Sequence, residues 1–137
     1  MQHYSLGLTP LGKVYFGGGH RFVARDFLKL PQLYLNGGTW GGRRILSKEW
    51  VDRSAAPRYR IGSRMYGYLW WIREYPYRGR TISAYMQLGN GSQNAIFIPE
   101  LDLVLAAFGA NYNSPSINYL LNELIPRFVL PAIEPDK

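Results

Sequence analysis

Apolar and polar positions between residues 81 and 112 fall into three runs that predict β-strands. β-Branched and aromatic residues are common in these runs, and turn-forming residues at 89–91 and 99–102 separate them. Short connections of this kind join neighbouring antiparallel strands, so the pattern predicts a β-meander. The last run, 103–108, is continuously apolar rather than alternating, which indicates a strand covered on both faces by helices or other chain.

Two helices are predicted before these strands. Apolar residues between 22 and 36 recur close to helical spacing, and the glycine pair at 37–38 supplies a common helix stop. Pro31 falls inside this first helix, where it removes a hydrogen bond and clashes with the preceding turn, so we expect a kink or a break there. Ser47 is a favoured N-cap residue for a second, shorter helix over 48–55.

A further strand is predicted from the aromatic run 66–73, which Pro76 and Gly79 are expected to close. Trp70 and Trp71 occupy adjacent positions in this run, and adjacent residues of a strand face opposite sides of a sheet. At most one of them can therefore line a cleft, and the core is the favoured place for both.

The C-terminal region predicts a helix that lies across the sheet. Ser114 followed by Pro115 is a strong start signal, because serine caps free N–H groups and proline suits the first helical position. Pro126 and Pro131 are expected to bend and end the helix. Its apolar stripe consists of Ile117, Leu120, Leu121, Leu124, Ile125 and Phe128.

These segments together predict one α+β domain over residues 1–137. Its centre is an antiparallel β-meander of about four strands, with flanking helices and a C-terminal helix packed on the sheet. A chain of 137 residues is one domain by length. A compact domain of that size buries roughly two-thirds of its unfolded surface, so a substantial core is possible.

Composition narrows the possible chemistry. Hydrophobic residues make up 47% and charged residues 18%, which argues against disorder, and no apolar run is long enough for a transmembrane segment. The chain has no cysteine and two histidines, so disulfides, thiolate chemistry and a metal site are not expected. No cofactor-binding motif is present, and no signal-peptide pattern opens the chain.

The net charge of +7 raises the question of a nucleic-acid partner. Four Trp, eleven Tyr and six Phe are available to stack on bases. The basic residues are dispersed, however, and no nucleic-acid-binding motif accompanies them. A solvated surface or the acidic face of a partner is the ordinary explanation, so nucleic acid is not expected to bind.

Seven blocks in a fixed order carry a family resemblance. They resemble the C-terminal part of the class C β-lactamase-like serine hydrolases, a family that includes penicillin-binding-protein-like peptidases and esterases. The resemblance extends over residues 17–112, and an ordered set of blocks is far more specific than any one of them. The blocks are GGG at 17–19, ARD at 24–26, LYLNGG at 33–38, RILSKEWV at 44–51, YGYLWW at 66–71, GNGSQ at 89–93 and IPELDLV at 98–104.

The resemblance implies a serine nucleophile that this chain does not carry. In the family, serine and lysine lie on one helix as Ser-x-x-Lys, a Tyr-x-Asn-type motif follows, and a Lys-Thr-Gly-type motif lies on a strand. None of the four lysines here has a serine three positions before it, and no Gly-x-Ser-x-Gly elbow occurs. Tyr34-Leu35-Asn36 and the Ser-x-Asn sequence at 116–118 are interpreted as decoys, because the first ends a helix and the second lies in the first turn of the last helix.

The third motif maps onto Asn90-Gly91-Ser92, followed by Gln93. The resemblance makes these three residues candidates for substrate binding, and it makes the backbone N–H of Gln93 the candidate second oxyanion donor. Asn90 lacks the positive charge of the family's lysine, so an ester or amide substrate is favoured over a β-lactam that bears a carboxylate. The alternative is a glycine-rich bend between two strands with no role in catalysis.

The resemblance therefore predicts a C-terminal part of a β-lactamase-related serine hydrolase. Such an enzyme hydrolyses a β-lactam, a D-alanyl peptide or an ester through an acyl-enzyme, and this chain alone is expected to be inactive. Because the family's last strand pairs with strands from the protein's beginning, 103–108 should present an open edge to the N-terminal part or to a second copy. Relatives are often periplasmic or secreted. The alternative is a non-catalytic module that binds cell-wall peptide or glycan.

Overall fold

The computed structural model describes residues 4–15 and 17–133. It is a mixed structure of helices and antiparallel sheets, with one main sheet between helical layers. In chain order the elements are β1 (Tyr4–Ser5), β2 (Arg21–Phe22), α1 (Ala24–Phe27), α2 (Lys29–Leu35), β3 (Thr39–Trp40), β4 (Arg43–Arg44), α3 (Lys48–Ala55), β5 (Tyr59–Ile61), β6 (Arg64–Tyr66), β7 (Trp71–Tyr77), β8 (Arg80–Gly89), β9 (Gln93–Ile98), β10 (Leu103–Ala107) and a C-terminal helical segment.

The main sheet is a meander of six strands in the order β10-β9-β8-β7-β6-β5. The sequence predicted about four, and the last three strands and the breaks between them are confirmed. The difference lies before β8. The strand predicted over 66–73 is two strands, because β6 ends at Tyr66 and β7 begins at Trp71, with Leu69 at a positive φ of 69° in between. The hairpin of β5 and β6, which turns at Gly62, was not predicted.

Pro76 lies within β7 and does not end it, contrary to the prediction. Strand β6 pairs with β7 only as far as Ile72, so the rest of β7 has β8 as its one pairing partner among the described residues. A strand edge tolerates proline, because the missing N–H can face away from the ladder. The turn to β8 is made by Arg78 and Gly79, both at positive φ, as a two-residue hairpin requires.

Each face of the sheet buries its own core. The C-terminal segment packs on one face, as predicted, and places Leu121, Ile125 and Leu130 against strand residues that include Ile82 and Ile96. Helices α2 and α3 cover the other face, where the core consists of Tyr34, Val51, Ala55, Trp70 and Phe97. The side chains of β10 are half-buried and contribute to both cores, in agreement with its continuous apolar pattern.

The first predicted helix is broken, but at Leu28 rather than at Pro31. Pro31 lies in the first turn of α2, where its missing N–H has no intrahelical partner to lose. Gly37 and Gly38 end this helix at positive φ, and the Gly38 N–H donates to the carbonyl oxygen of Leu33 at 2.8 Å. The predicted N-cap of α3 is confirmed, since the N–H of Trp50 donates to Ser47 Oγ at 3.1 Å.

The C-terminal segment departs from the predicted regular helix. It starts at the predicted Ser114 cap with a 3₁₀ turn (Pro115–Asn118), continues as a π-helix (Leu120–Val129), and ends as a short α-helix, α4 (Leu130–Ala132). Pro126 lies inside the π-helix and Pro131 inside α4. The wider π-helical turn brings Leu130 onto the sheet and leaves Phe128 exposed, although α-helical spacing predicted Phe128 in the buried stripe.

Candidate functional site

The predicted third motif lies in the tight connection between β8 and β9. Gly89 pairs with Gln93 at the end of the ladder, so the loop consists of Asn90, Gly91 and Ser92. Gly91 has a positive φ of 91°, and a Cβ atom there would lie 2.6 Å from the ring of Tyr112. Glycine is therefore required at this position both by its backbone conformation and by its close neighbour.

The end of β8 that leads into this loop has an open edge. Pairing between β7 and β8 stops at Trp71 and Met86, so residues 87–89 pair with β9 alone among the described strands. This edge opens onto two adjoining cavities that share Trp71 and Leu88. The apolar cavity has a volume of about 410 Å³ and includes Leu6, Phe22, Phe27 and Leu69 in its lining. The polar cavity has a volume of about 380 Å³ and includes Arg64, Asn90, Asn94 and Asn118.

Ser92 is buried, and its hydroxyl group is already occupied. Ser92 Oγ donates to the carbonyl oxygen of Ile117 at 2.8 Å and accepts from Asn111 Nδ2 at 3.2 Å. Neither partner is a base that can take the serine proton, so this geometry does not activate Ser92 as a nucleophile. The predicted hydrogen bond from Ser92 to a substrate requires the hydroxyl to leave these partners.

Gln93 and Asn90 fasten the loop to the chain that follows β10. Gln93 Nε2 donates to the carbonyl oxygen of Gly109 at 2.8 Å, while Gln93 Oε1 is buried with no hydrogen-bond partner in the described structure. Asn90 and Asn113 hold each other through a side-chain bond and a backbone bond, both at 3.3 Å. Gln93, whose backbone N–H is the predicted oxyanion donor, is the first residue of β9 and pairs with Gly89, and it is not among the residues that line the cavity of Asn90.

A positive charge reaches this cavity from a residue that the sequence analysis did not select. Arg64 on β6 is half-buried, lines the same cavity as Asn90, and donates from Nη2 to Asn118 Oδ1 at 3.2 Å. The position of Arg64 depends on the β5–β6 hairpin, and the signal for that hairpin was Gly62-Ser63 between two β-prone stretches. Asn90 itself is uncharged, but Arg64 brings a positive charge to the cavity that both residues line.

The first decoy motif contributes nothing to this site, whereas the second contributes Ile117 and Asn118, which line the polar cavity, but not its serine. Tyr34 is buried, its hydroxyl group lies 3.0 Å from Ser54 Oγ, and its ring packs on Trp70 and Phe97. Ser116 is exposed in the 3₁₀ turn, where its N–H donates to Ser114 Oγ at 3.2 Å.

The two adjacent tryptophans of the sequence differ in surroundings. Trp70, in the connection before β7, is buried in the core of the α2–α3 face, whereas Trp71 is half-buried and lines both cavities. The core was predicted for both: Trp70 confirms this, and Trp71 confirms it in part, because it packs against the core beneath the C-terminal segment while it also lines the cavities. Trp71 lines a cleft while Trp70 does not, which agrees with the prediction that at most one of them can do so.

Within residues 4–15 and 17–133, no group of three or more His, Asp or Glu side chains is placed to hold a metal ion. No described helix is both long enough and apolar enough to span a membrane. No protein-family model matches the chain, and no curated protein matches it. The relationship to serine hydrolases therefore stays a prediction.

Proposed function

We propose that the chain is the C-terminal part of a β-lactamase-related serine hydrolase. In this proposal β8 and the loop at 90–92 form one wall of an acyl-transfer cleft, with the Gln93 N–H as an oxyanion donor. A preceding part of the protein supplies the serine and its lysine. The substrate is a small acyl compound, such as a β-lactam, a D-alanyl peptide or an ester, and no cofactor takes part.

The observation that carries the proposal is the open end of β8 at the predicted third motif. Residues 87–89 on the open edge of β8 can pair with an extended substrate, because the pairing of β7 with β8 stops at Met86. The candidate donor Gln93 begins the neighbouring strand β9, where it pairs with Gly89 at the end of the ladder. The motif ends beside a polar cavity, which is where a substrate needs to lie. Within the motif, Ser92 carries the one side-chain hydroxyl, and its hydrogen bonds to Ile117 and Asn111 give this hydroxyl a structural role.

Acylation by an active-site probe tests this proposal. A fluorescent penicillin and a fluorophosphonate are added to the chain alone and to a version extended upstream through a Ser-x-x-Lys motif. We expect the extended protein to be labelled and the chain alone to remain unlabelled, and replacement of the motif serine by alanine should abolish labelling. An upstream region without this motif, or an extended protein that neither probe labels, overturns the proposal.

A second candidate function is a binding module for cell-wall peptide or glycan that has lost catalysis. The polar cavity favours it, because Trp71 and Arg64 place an aromatic surface and a cation beside amide side chains. A titration with soluble peptidoglycan fragments, followed by tryptophan fluorescence, tests this candidate. Binding that Trp71→Ala abolishes, in an extended protein that no probe labels, supports the module over the hydrolase.

A further inference from the structure

A second polar cavity lies on the other side of Arg64. It has a volume of about 500 Å³ and is formed by the β5–β6 hairpin, β7 and the C-terminal segment. Three arginines line it, Arg60, Arg64 and Arg73, together with one acidic residue, Glu74. The cavity therefore carries three positive charges against one negative charge.

The positive charge of these arginines is not neutralised by the neighbouring chain. Arg64 donates to the neutral Asn118 side chain at 3.2 Å, and Arg73 Nη1 donates to Asn122 Oδ1 at 2.7 Å. The ion pairs found among the described residues use other cations, namely Lys29, Lys48 and Arg127. A net charge close to +2 thus remains in a concave site.

The guanidinium groups of Arg64 and Arg73 are also held in place. The two amide side chains fix one end of each, and the guanidinium of Arg73 lies 4.9 Å from the centre of the Tyr75 ring. A planar guanidinium keeps several donors in a fixed fork, which matches the oxygens of phosphate or carboxylate. Groups that are already ordered lose less entropy when they bind a ligand.

We propose that this cavity binds a small phosphate monoester. A phosphate monoester carries a charge of about −1.5 to −2 at neutral pH, which balances the surplus of the site, whereas a single carboxylate balances only half of it. Arg64 and Arg73, which share the face of the sheet towards the C-terminal segment, provide the fork contacts, Arg60 adds charge from the opposite face, and Ser63 offers a hydroxyl. The volume suits a small molecule rather than a polymer. This inference stands independently of the proposed hydrolase function.

Titration of the folded chain with inorganic phosphate and with methyl phosphate, followed by ³¹P NMR and calorimetry, tests the proposal. We expect saturable binding, and weaker binding of acetate. Arg64→Gln and Arg73→Gln should each weaken phosphate binding by about tenfold, because each removes a charged contact, and Arg60→Gln should weaken it less. Arg43→Gln is the matched control, since it removes the same charge from an exposed position in the β3–β4 hairpin and should leave binding unchanged.

Arg73→Lys separates the fork from the charge. It keeps the positive charge but loses the paired donors, so binding should fall between that of the parent chain and that of Arg73→Gln. Circular dichroism and thermal melting establish that each variant is folded, and Arg64→Gln is the variant to use if Arg73→Gln does not fold. Absence of saturable binding overturns the proposal, and so does an equal loss in Arg43→Gln, which would indicate attraction by net charge alone.

Discussion

Ser92 is held in the left-handed region with a φ of 71°, where residues other than glycine are strained. Its hydroxyl makes two hydrogen bonds that tie the loop to Ile117 and Asn111. Ser92→Ala should lose both bonds and keep the strain, at a cost of about 1–3 kcal/mol. Ser92→Gly loses the same bonds but relieves the strain, so it should be the milder change by about 1 kcal/mol. Urea midpoints measure both, and a glycine variant less stable than the alanine variant would contradict this account.

Tyr75 links β7 to the C-terminal segment, because its hydroxyl donates to the carbonyl oxygen of Leu121 at 2.9 Å. Burial raises the pKa of the Tyr75 phenol above its ordinary value, and the nearby charges of Arg73 and Arg64 oppose this only in part. The unfolded chain therefore releases this proton first. The resulting stabilisation is complete below about pH 10 and is lost as pH rises from there through the folded-state pKa.

Tyr75→Phe should therefore cost about 1 kcal/mol at neutral pH, through the lost hydrogen bond, and show a shallower loss of stability above pH 10. Urea unfolding at a series of alkaline pH values measures both effects. Tyr59→Phe is the control, because Tyr59 is 58% exposed and its removal should change neither. A Tyr75→Phe variant with the same alkaline slope as the parent would show that other groups cause the loss.

Gly67 determines how closely α3 approaches the sheet. A Cβ atom at this position would lie 2.5 Å from the carbonyl oxygen of Ser54 and 2.7 Å from that of Ala56, and neither backbone atom can move aside easily. Gly67→Ala should separate α3 from the sheet and cost about 1–3 kcal/mol or more, as overpacking does. Gly62→Ala is the comparison, because Gly62 has a positive φ of 61° but open space around it. Denaturant unfolding should place Gly67→Ala below Gly62→Ala in stability.

At the scale of elements, local signals predicted what depended on local chemistry. The Ser47 cap, the stop at Gly37-Gly38 and the breaks around β9 are decided by neighbouring residues, and the sequence located them. The π-helix was not predictable in this way, because it depends on how Leu121 and Leu130 meet the sheet. Pro76 was predicted to close a strand but lies within β7. It is tolerated there because β6 is short and leaves this part of β7 unpaired on one side in the described structure, which depends on tertiary structure and not on the residues around Pro76.

The candidate site was also predictable only where it depends on neighbouring residues. The sequence predicted that Asn90, Gly91 and Ser92 lie in one connection with Gln93 directly after it, since they are consecutive and rich in turn formers. It did not predict that Arg64 brings charge to this cavity, because Arg64 reaches Asn118 across 54 positions of the chain. The burial of the Ser92 hydroxyl was equally hidden, since its partners come from beyond β10.

On the scale of the whole molecule, the sheet ends on a strand suited to a further partner. Strand β10 pairs with β9 and with no other described strand, although both of its faces are half-buried. An edge of this kind exposes a row of unused backbone donors and acceptors, which promotes pairing with another strand. Natural edges are commonly protected by lysine or proline, and 103–107 contains neither.

The isolated chain should therefore self-associate through β10 as its concentration rises. Ala107→Lys places a charge at the end of this strand and should shift the equilibrium towards monomer, whereas Ala132→Lys, at an exposed position of α4, adds the same charge away from the edge and should not. Sedimentation velocity over a wide concentration range measures both. A parent chain that stays monomeric throughout, or equal effects of the two lysines, would show that β10 is not the associating surface. If the hydrolase proposal is right, the missing N-terminal part added in trans should suppress self-association, because it competes for the same edge.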